Sequence, residues 1–254
     1  ATKTYRPAAN FNGTVSLQLI TNVPDGVGPC TAVTSIRTIT VNAAATVNVG
    51  GPEVICGSAT PSAATLSGSS IGGAATTGTW SIVSGGGSLS NTNPTASPAT
   101  VTYTPAANYS GTVTLQLTTD DPDGAGPCSL VSAIRTITIN PQALVDAGGP
   151  DAACQSATPS AITLSGSSIG GAATTGTWSI LSGGGSLSST TPTASPDTVT
   201  YTPAANFSGV VTLQLITNDP DGVGPCVAVT ATRTITINAA ATVNAGGPDV
   251  ICGS

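Results

Sequence analysis

The 254-residue sequence has no histidine, a single lysine (Lys3) and only four arginines. Without histidine it lacks the usual base for activating a serine or a cysteine, and it lacks a common zinc ligand. A net charge of −6 with so few cations leaves no basic surface for phosphates, so nucleic acid is not expected as a partner. We therefore expect no catalytic residues and a protein that is not an enzyme.

Long apolar runs are also absent. No stretch approaches the roughly 18 apolar residues that a spanning helix requires, and the first residues lack the charged and apolar regions of a signal peptide. We expect no membrane insertion in this segment, with any export signal or anchor outside it. What the sequence does contain is Thr, Ser and Val in abundance, with 31 Gly and 19 Pro, a composition that favours β-strands and turns over helices.

The chain repeats itself with a constant offset of 98 residues, seen in Tyr5, Tyr103 and Tyr201 and in both tryptophans, Trp80 and Trp178. Internal repeats of this kind indicate an array of like domains. Each copy ends in an alternating run such as "IRTITVN" or "TRTITIN". On that register we predict four segments: the C-terminal part of a repeat at 1–43, complete repeats at 44–141 and 142–239, and the N-terminal part of the next repeat at 240–254.

Within a repeat, apolar and polar residues alternate. The run "GTVTLQLTT" places Val113, Leu115 and Leu117 on one face and polar residues on the other, which predicts a half-buried antiparallel strand. About seven such short strands in each repeat predict an all-β fold, a tandem array of immunoglobulin-like β-sandwich domains with two sheets each. Trp80 alternates with Ile82, and we expect it to fill the space between the sheets.

Six cysteines without a Cys-x-x-Cys pair indicate structural disulfides formed in an oxidising compartment. A bridge from Cys30 to Cys56 across a junction would have to span a final strand of about 33 Å, whereas the start of the first strand and the last loop of one sandwich share a pole. A bridge within one domain closes a loop of about 70 residues and stabilises it by roughly 4 kcal/mol. We predict bonds of Cys56 with Cys128 and of Cys154 with Cys226, while Cys30 and Cys252 pair outside this sequence.

One acidic loop, "TTDDPDGAGPC" at 118–128, returns at 20–30 and 216–226 with altered acids. Val23 stands where Asp121 and Asp219 stand in the other copies, so the loop cannot hold a fixed pair of catalytic carboxyls. We interpret it as a rigid turn with solvated acids. The alternative is a calcium site at this pole, because hard cations take carboxylate and backbone oxygens. The calcium candidates are Asp120, Asp121, Asp123, Asp146, Asp151, Asp219 and Asp221.

The order of motifs "GGPDAAC…ITLSGSSIGG…GTWSI…GGGSLS…TVTYTPAANFSG…VTLQLITNDPDG…GPC…TRTITIN" resembles the PKD-like, immunoglobulin-like repeats of giant surface adhesins of gliding Bacteroidota, the SprB-like proteins. The likeness covers essentially the whole chain, and "YTPAANFSG" to "DPDG" is its most specific part. The resemblance implies export by the type IX secretion system, display at the cell surface and a role in gliding adhesion.

We therefore expect a structural segment of a long extracellular filament or adhesin stalk, whose partners here are the neighbouring repeats of the same chain. Surface glycans or other cells would be met through regions outside this segment. Two alternatives stay open: carbohydrate-binding repeats, although the few aromatic residues make a sugar platform hard to assemble, and spacer domains of a secreted multidomain hydrolase.

Overall fold

A computed structural model of the chain describes residues 3–23, 25–247 and 252. The chain divides into two compact units, Ala1–Ile139 and Asn140–Ser254, which are described separately. The first unit contains the predicted segment 1–43 together with most of the predicted repeat 44–141. The repeat boundaries themselves stay predictions, and in the predicted segment 240–254 residues 248–251, 253 and 254 lie outside the described residues.

Among its described residues, the first unit contains eleven strands and one short 3-10 helix, Pro98–Thr100. The strands are β1 (Gly13–Ile20), β2 (Thr34–Val41), β3 (Ala45–Val49), β4 (Glu53–Cys56), β5 (Ala64–Thr65), β6 (Ser69–Gly73), β7 (Gly78–Ser84), β8 (Ser88–Leu89), β9 (Thr102–Thr104), β10 (Gly111–Thr119) and β11 (Ser132–Asn140).

These strands form a two-stranded antiparallel sheet and then a sandwich. β1 pairs with β2, and β4 to β11 include a four-stranded sheet in the order β4-β11-β10-β7. Two smaller sheets, β3-β6 and β5-β9-β8, complete the sandwich. Side chains from all three sheets meet in one core.

The second unit repeats this sandwich. Its strands are β12 (Ala143–Asp146), β13 (Asp151–Cys154), β14 (Ile162–Thr163), β15 (Ser168–Gly171), β16 (Gly176–Ser182), β17 (Ser186–Leu187), β18 (Thr200–Thr202), β19 (Gly209–Thr217) and β20 (Thr230–Asn238), with a 3-10 helix at Pro196–Thr198. The four-stranded sheet has the order β13-β20-β19-β16, and the smaller sheets are β12-β15 and β14-β18-β17. β13 runs parallel to β20, with Cys154 opposite Asn238.

The core confirms the predicted alternation. Val113, Leu115 and Leu117 on β10 are completely buried, as are their equivalents on β19. Trp80 is buried as predicted, and its indole N–H donates a 3.1 Å hydrogen bond to the Pro98 carbonyl. Trp178 makes the equivalent 3.0 Å bond to Pro196. The 3-10 helix therefore provides the polar partner that a buried tryptophan needs.

The sandwich differs from the expected one in strand number. The described part of the second unit contains nine strands, where the sequence predicts about seven, and the layer facing its four-stranded sheet is divided between two small sheets. The additional strands include very short ones, such as β17 with two residues, which is too short to show alternation. Glycines at positive φ, such as Gly166 and Gly171, separate these pieces.

β1 and β2 carry the same sequence pattern as β10 and β11 but not the same burial. Leu19, the equivalent of Leu117, is 73% exposed. The difference arises because no strand precedes β1 among the described residues, so no second layer covers its apolar face. Among the same residues, none lies in a helix with the length and apolar character needed to cross a bilayer.

Candidate functional site

The acidic loop between β10 and β11 binds the end of the strand that precedes its own repeat. The Asp123 carboxylate accepts a 2.8 Å hydrogen bond from the Asn42 side-chain amide, just after β2. The same carboxylate oxygen accepts a 3.2 Å bond from the Cys128 backbone N–H. One acid thus closes the loop on itself and attaches it to the chain segment before the repeat.

The second unit has the same arrangement. Asp221 accepts a 3.0 Å hydrogen bond from the Asn140 side chain and a 3.2 Å bond from the Cys226 N–H. In the first copy, Asp25 accepts a 2.9 Å bond from the Cys30 N–H. Because all three copies keep this acid and its bond to the cysteine N–H, we assign it to loop structure.

The neighbouring acids also cap backbone groups. Asp121 accepts hydrogen bonds from the N–H groups of Asp123 (3.3 Å) and Gly124 (3.1 Å), an Asx-type turn. Asp219 does the same in the second unit. Asp120 accepts from the N–H groups of Thr76 (2.9 Å) and Thr77 (3.0 Å) and from the Thr76 hydroxyl. These acids accept hydrogen bonds from their own loop and from the Thr76–Thr77 segment. The prediction that they are merely solvated is therefore wrong.

The hydrogen bonds shift the acidity of these groups. The Thr76 hydroxyl and then the Thr77 N–H hold the pKa of Asp120 below its usual value. The Asn42 amide does the same for the pKa of Asp123, and the Cys30 N–H for the pKa of Asp25. Donors that bind the ionised form of a carboxyl favour it. The same hydrogen bonds therefore favour the ionised carboxylates that accept them.

A buried arginine joins the strand β4 to the rest of the first sandwich. Arg135 on β11 is 5% exposed, and its guanidinium binds the Glu53 carboxylate at 2.8 Å. It also donates to the carbonyls of Val49 (3.2 Å) and Ser67 (2.9 Å). One side chain therefore connects three chain segments that are distant in sequence.

Arg233 occupies the equivalent place in the second unit, with Asp151 at 2.6 Å and the carbonyls of Ala147 and Ser165 as further acceptors. Gly148 lies against it at φ +77°, and a Cβ there would approach Arg233 Nη1 to 2.7 Å. The glycine is required both by the backbone conformation and by the space that the guanidinium occupies.

This arginine was not identified from the sequence, although a signal was present. Arg135 has the same parity as Ile137 and Ile139, both buried, so the alternation places it on the inward face of its strand. A charge at an inward position that returns 98 residues later indicates a buried ion pair. Its partners, Glu53 and Asp151, follow the "GGP" turns.

The calcium candidates are not brought together by the structure. No group of three or more acidic, cysteine or histidine side chains with metal-binding geometry occurs among the described residues. Asp151 pairs with Arg233, and Asp146 accepts a 2.8 Å hydrogen bond from the Gly148 N–H. The remaining candidates, Asp120, Asp121, Asp123, Asp219 and Asp221, make the loop contacts described above.

The cysteines do not pair as predicted. Cys56 and Cys226 are in disulfide form, whereas Cys128 and Cys154 are free thiols, as are Cys30 and Cys252. Neither Cys56 with Cys128 nor Cys154 with Cys226 is therefore bonded in this structure. Partners of Cys30 and Cys252 outside the sequence stay a prediction. The Cys128 thiol has a raised pKa, first because of desolvation and then because of its hydrogen bond with Asp123.

The direction of one strand explains the incorrect pairing. β13 is parallel to β20, so Cys154 lies beside Asn238 at the C-terminal end of that strand. Cys226 precedes Thr230, where β20 begins. The eight residue steps between the two ends of β20 cover about 26 Å, far beyond the Cα separation of about 4.4 to 6.8 Å in a disulfide. The predicted bond would require both cysteines at one pole of the sandwich.

Comparisons with known proteins give similarity of architecture at low sequence identity. The chain is similar to human cadherin-23 repeats EC21-23, with a TM-score of 0.44, 13% identity, and coverage of 80% of this chain and 68% of that one. It is also similar to the D00-D0 domain of intimin, with a TM-score of 0.35, 12% identity, and coverage of 76% and 98%. An endo-fucoidan hydrolase of glycoside hydrolase family 107 matches with a TM-score of 0.29, 12% identity, and coverage of 92% and 35%.

No protein family description matches the chain. No curated protein matches it either. The fold class therefore rests on the strands and sheets of the chain itself, an all-β array with immunoglobulin-like sandwiches.

Replacing Glu53 by alanine is expected to destabilise the first unit by about 3 kcal/mol, because it leaves the buried Arg135 guanidinium without its counter-charge. Urea unfolding followed by Trp80 fluorescence in a Trp178→Phe background measures this loss. The double variant E53A/R135M should recover part of the stability, since it removes the unpaired charge as well. An E53A variant no less stable than the double variant would contradict this account.

Replacing Asp120 by asparagine is expected to remove an acid-sensitive part of the stability. The pKa of Asp120 is lowered in the folded state, so its contribution is present above its ordinary value near 3.8 and is lost as the pH falls through the lowered pKa. The difference in unfolding free energy between the parent chain and D120N should therefore shrink from pH 7 to pH 2.

The matched control is Asn218→Asp, because Asn218 accepts the equivalent hydrogen bonds from the N–H groups of Thr174 (2.8 Å) and Thr175 (2.9 Å). This variant should introduce the same acid sensitivity into the second unit, which Trp178 fluorescence reports. A pH profile that is the same for the parent chain and both variants would show that these carboxylates do not control stability.

Proposed function

We propose that this chain is a structural segment of a long extracellular filament or adhesin stalk, in which the repeats span distance and transmit force. The observation that carries the proposal is that the polar side chains of this segment make structural contacts within the chain. The acids cap turns, attach loops or pair with buried arginines, and the same contacts return with a period of 98 residues. A module of this kind is suited to repetition.

An extracellular location is supported by the cysteines. Cys56 and Cys226 are in disulfide form, and disulfides persist in oxidising compartments such as the cell exterior. The low charge and Thr-rich strands also fit a secreted, β-rich surface protein. The partners proposed for this segment are neighbouring repeats of the same chain, and contacts with glycans or other cells are assigned to regions outside it.

The resemblance to SprB-like repeats makes the proposal more specific. The motif order suggests that the stalk comes from a gliding bacterium of the Bacteroidota and is exported by the type IX secretion system. The support for it is the order of sequence motifs, and the physical proposal of a stalk does not depend on it.

The two alternative functions have less support from the fold. A carbohydrate-binding repeat needs exposed aromatic faces, but Trp80, Trp178, Tyr103 and Tyr201 are buried in the two cores. A role as a spacer in a secreted hydrolase shares the same physical properties as the stalk. The spacer role differs from the stalk role only in requiring a catalytic domain elsewhere in the protein. The flanking sequence therefore distinguishes the two roles.

Electron microscopy of chains lengthened by one and two further copies of residues 142–239 tests the stalk. The longest strands have nine residues, or about 30 Å, and the loops at both poles extend each module, so length should grow by about 35 to 45 Å per copy. The unlengthened chain is the control. Compact particles whose longest dimension does not grow with copy number would contradict the proposal.

A further inference from the structure

Each copy of the acidic loop contains an aspartate followed directly by a glycine. These aspartates are Asp25, Asp123 and Asp221, and no other aspartate in the sequence precedes a glycine. The backbone nitrogen of the glycine can add to the side-chain Cγ of the aspartate, because a glycine has no Cβ to block the approach. Each loop therefore contains a pair of residues that can rearrange without an enzyme or a cofactor.

The three loops share one backbone conformation around the glycine. Gly26, Gly124 and Gly222 have φ values of +68°, +65° and +67°. In every copy the aspartate carbonyl accepts a hydrogen bond from the N–H three residues later, at 3.3 Å in the first loop and 3.2 Å in the other two. Every aspartate carboxylate also accepts a bond from the N–H of the loop cysteine. The turn itself therefore gives no reason for the three aspartates to differ in reactivity.

The loops differ in the group that holds the glycine nitrogen. The Gly124 N–H donates to the Asp121 carboxylate at 3.1 Å, and the Gly222 N–H donates to the Asp219 carboxylate at 3.0 Å. The first loop has Val23 at this position, and a valine side chain has no oxygen that could accept a hydrogen bond. The glycine nitrogen of the first loop thus lacks the acceptor that this position supplies in the other two.

A carboxylate at this position opposes the rearrangement in two ways. The Gly124 nitrogen must turn away from Asp121 before it reaches the Asp123 side chain, so a hydrogen bond to a charged acceptor is lost. The nitrogen also gives up its proton during the attack, and the negative charge of Asp121 disfavours a second negative charge beside it. A valine has neither effect.

We propose that Asp25 is a site of spontaneous isomerisation to isoaspartate, and that the carboxylates of Asp121 and Asp219 protect Asp123 and Asp221 from the same modification. The proposal concerns the covalent chemistry of the loop, and it holds whether or not the repeats serve as a stalk.

The reaction at Asp25 needs only water and protons. The Gly26 nitrogen forms a bond to the Asp25 Cγ, and one carboxyl oxygen leaves as water with the amide proton and a proton from solvent. Water then opens the five-membered ring at either carbonyl, which restores the N–H and releases a carboxylate and a proton. Opening at the original main-chain carbonyl leaves the main chain running through the side-chain carbons. The carboxylate is then attached to Cα, so the 2.9 Å hydrogen bond that Asp25 accepts from the Cys30 N–H is lost.

Incubation of the 254-residue chain in water labelled with heavy oxygen measures the reaction, because each ring opening adds one labelled oxygen to the residue concerned. The chain is then denatured, digested with trypsin in ordinary water and analysed by mass spectrometry with fragmentation that distinguishes isoaspartate from aspartate. Trypsin separates the three sites into fragments 4–37, 38–135 and 136–233. Label at Asp25 should accumulate about tenfold faster than label at Asp123 or Asp221, the factor that corresponds to one hydrogen bond to a charged group.

Exchanging the residues at the protecting position tests the cause. Asp121→Val should raise the rate of labelling at Asp123 about tenfold, while Asp221 in the same chain serves as the internal control and should not change. Val23→Asp should slow labelling at Asp25 by a similar factor. The matched variant Asp121→Asn keeps an oxygen acceptor for the Gly124 N–H, so labelling at Asp123 should stay close to the rate in the parent chain.

Three results would overturn the proposal. The first is equal labelling of all three aspartates in the parent chain. The second is an Asp121→Val chain in which Asp123 is labelled no faster than before. The third is an equal rise at Asp123 with Asp121→Asn and with Asp121→Val, because the side-chain acceptor would then give no protection.

Discussion

The parallel pairing of a short early strand with the last strand of the same repeat is the interaction on which the other features of the sandwich depend. In the second unit it aligns Asp151 to Cys154 with Ile235 to Asn238. It brings Asp151 to the buried Arg233 at one end of β13 and places Cys154 beside Asn238 at the other. An antiparallel arrangement would exchange these ends. The ion pair and the position of the cysteine are therefore consequences of one strand direction.

The buried arginines make polar contacts in the interior of each sandwich, and the loop acids make polar contacts at its end. Arg135 and Arg233 satisfy backbone carbonyls that the early turns leave inside the sandwich. Asp123 and Asp221 act at the end, where each holds a loop against an asparagine. With 6% charged residues, the chain has few ionisable groups, and it uses many of them for contacts that define its own geometry.

Much of the fold could be predicted from the sequence, because alternation and repetition are local signals. The inward face of β10 and the buried Trp80 followed directly from period-two spacing. The cysteine pairing could not be predicted in this way, since strand direction in a sheet is not visible in a run of four residues such as "DAAC". The role of the acids was also missed. Asp151 and the buried arginine lie 82 residues apart, and only the folded chain shows that they meet.

The central claim, that the chain consists of separately folded sandwiches that resist extension, is tested most directly by pulling single chains from their ends under reducing conditions. Each complete repeat should unfold in its own step and release about 300 Å, which is about 98 residues at about 3.5 Å each less a folded length of about 40 Å. Smooth extension without separate steps would contradict it.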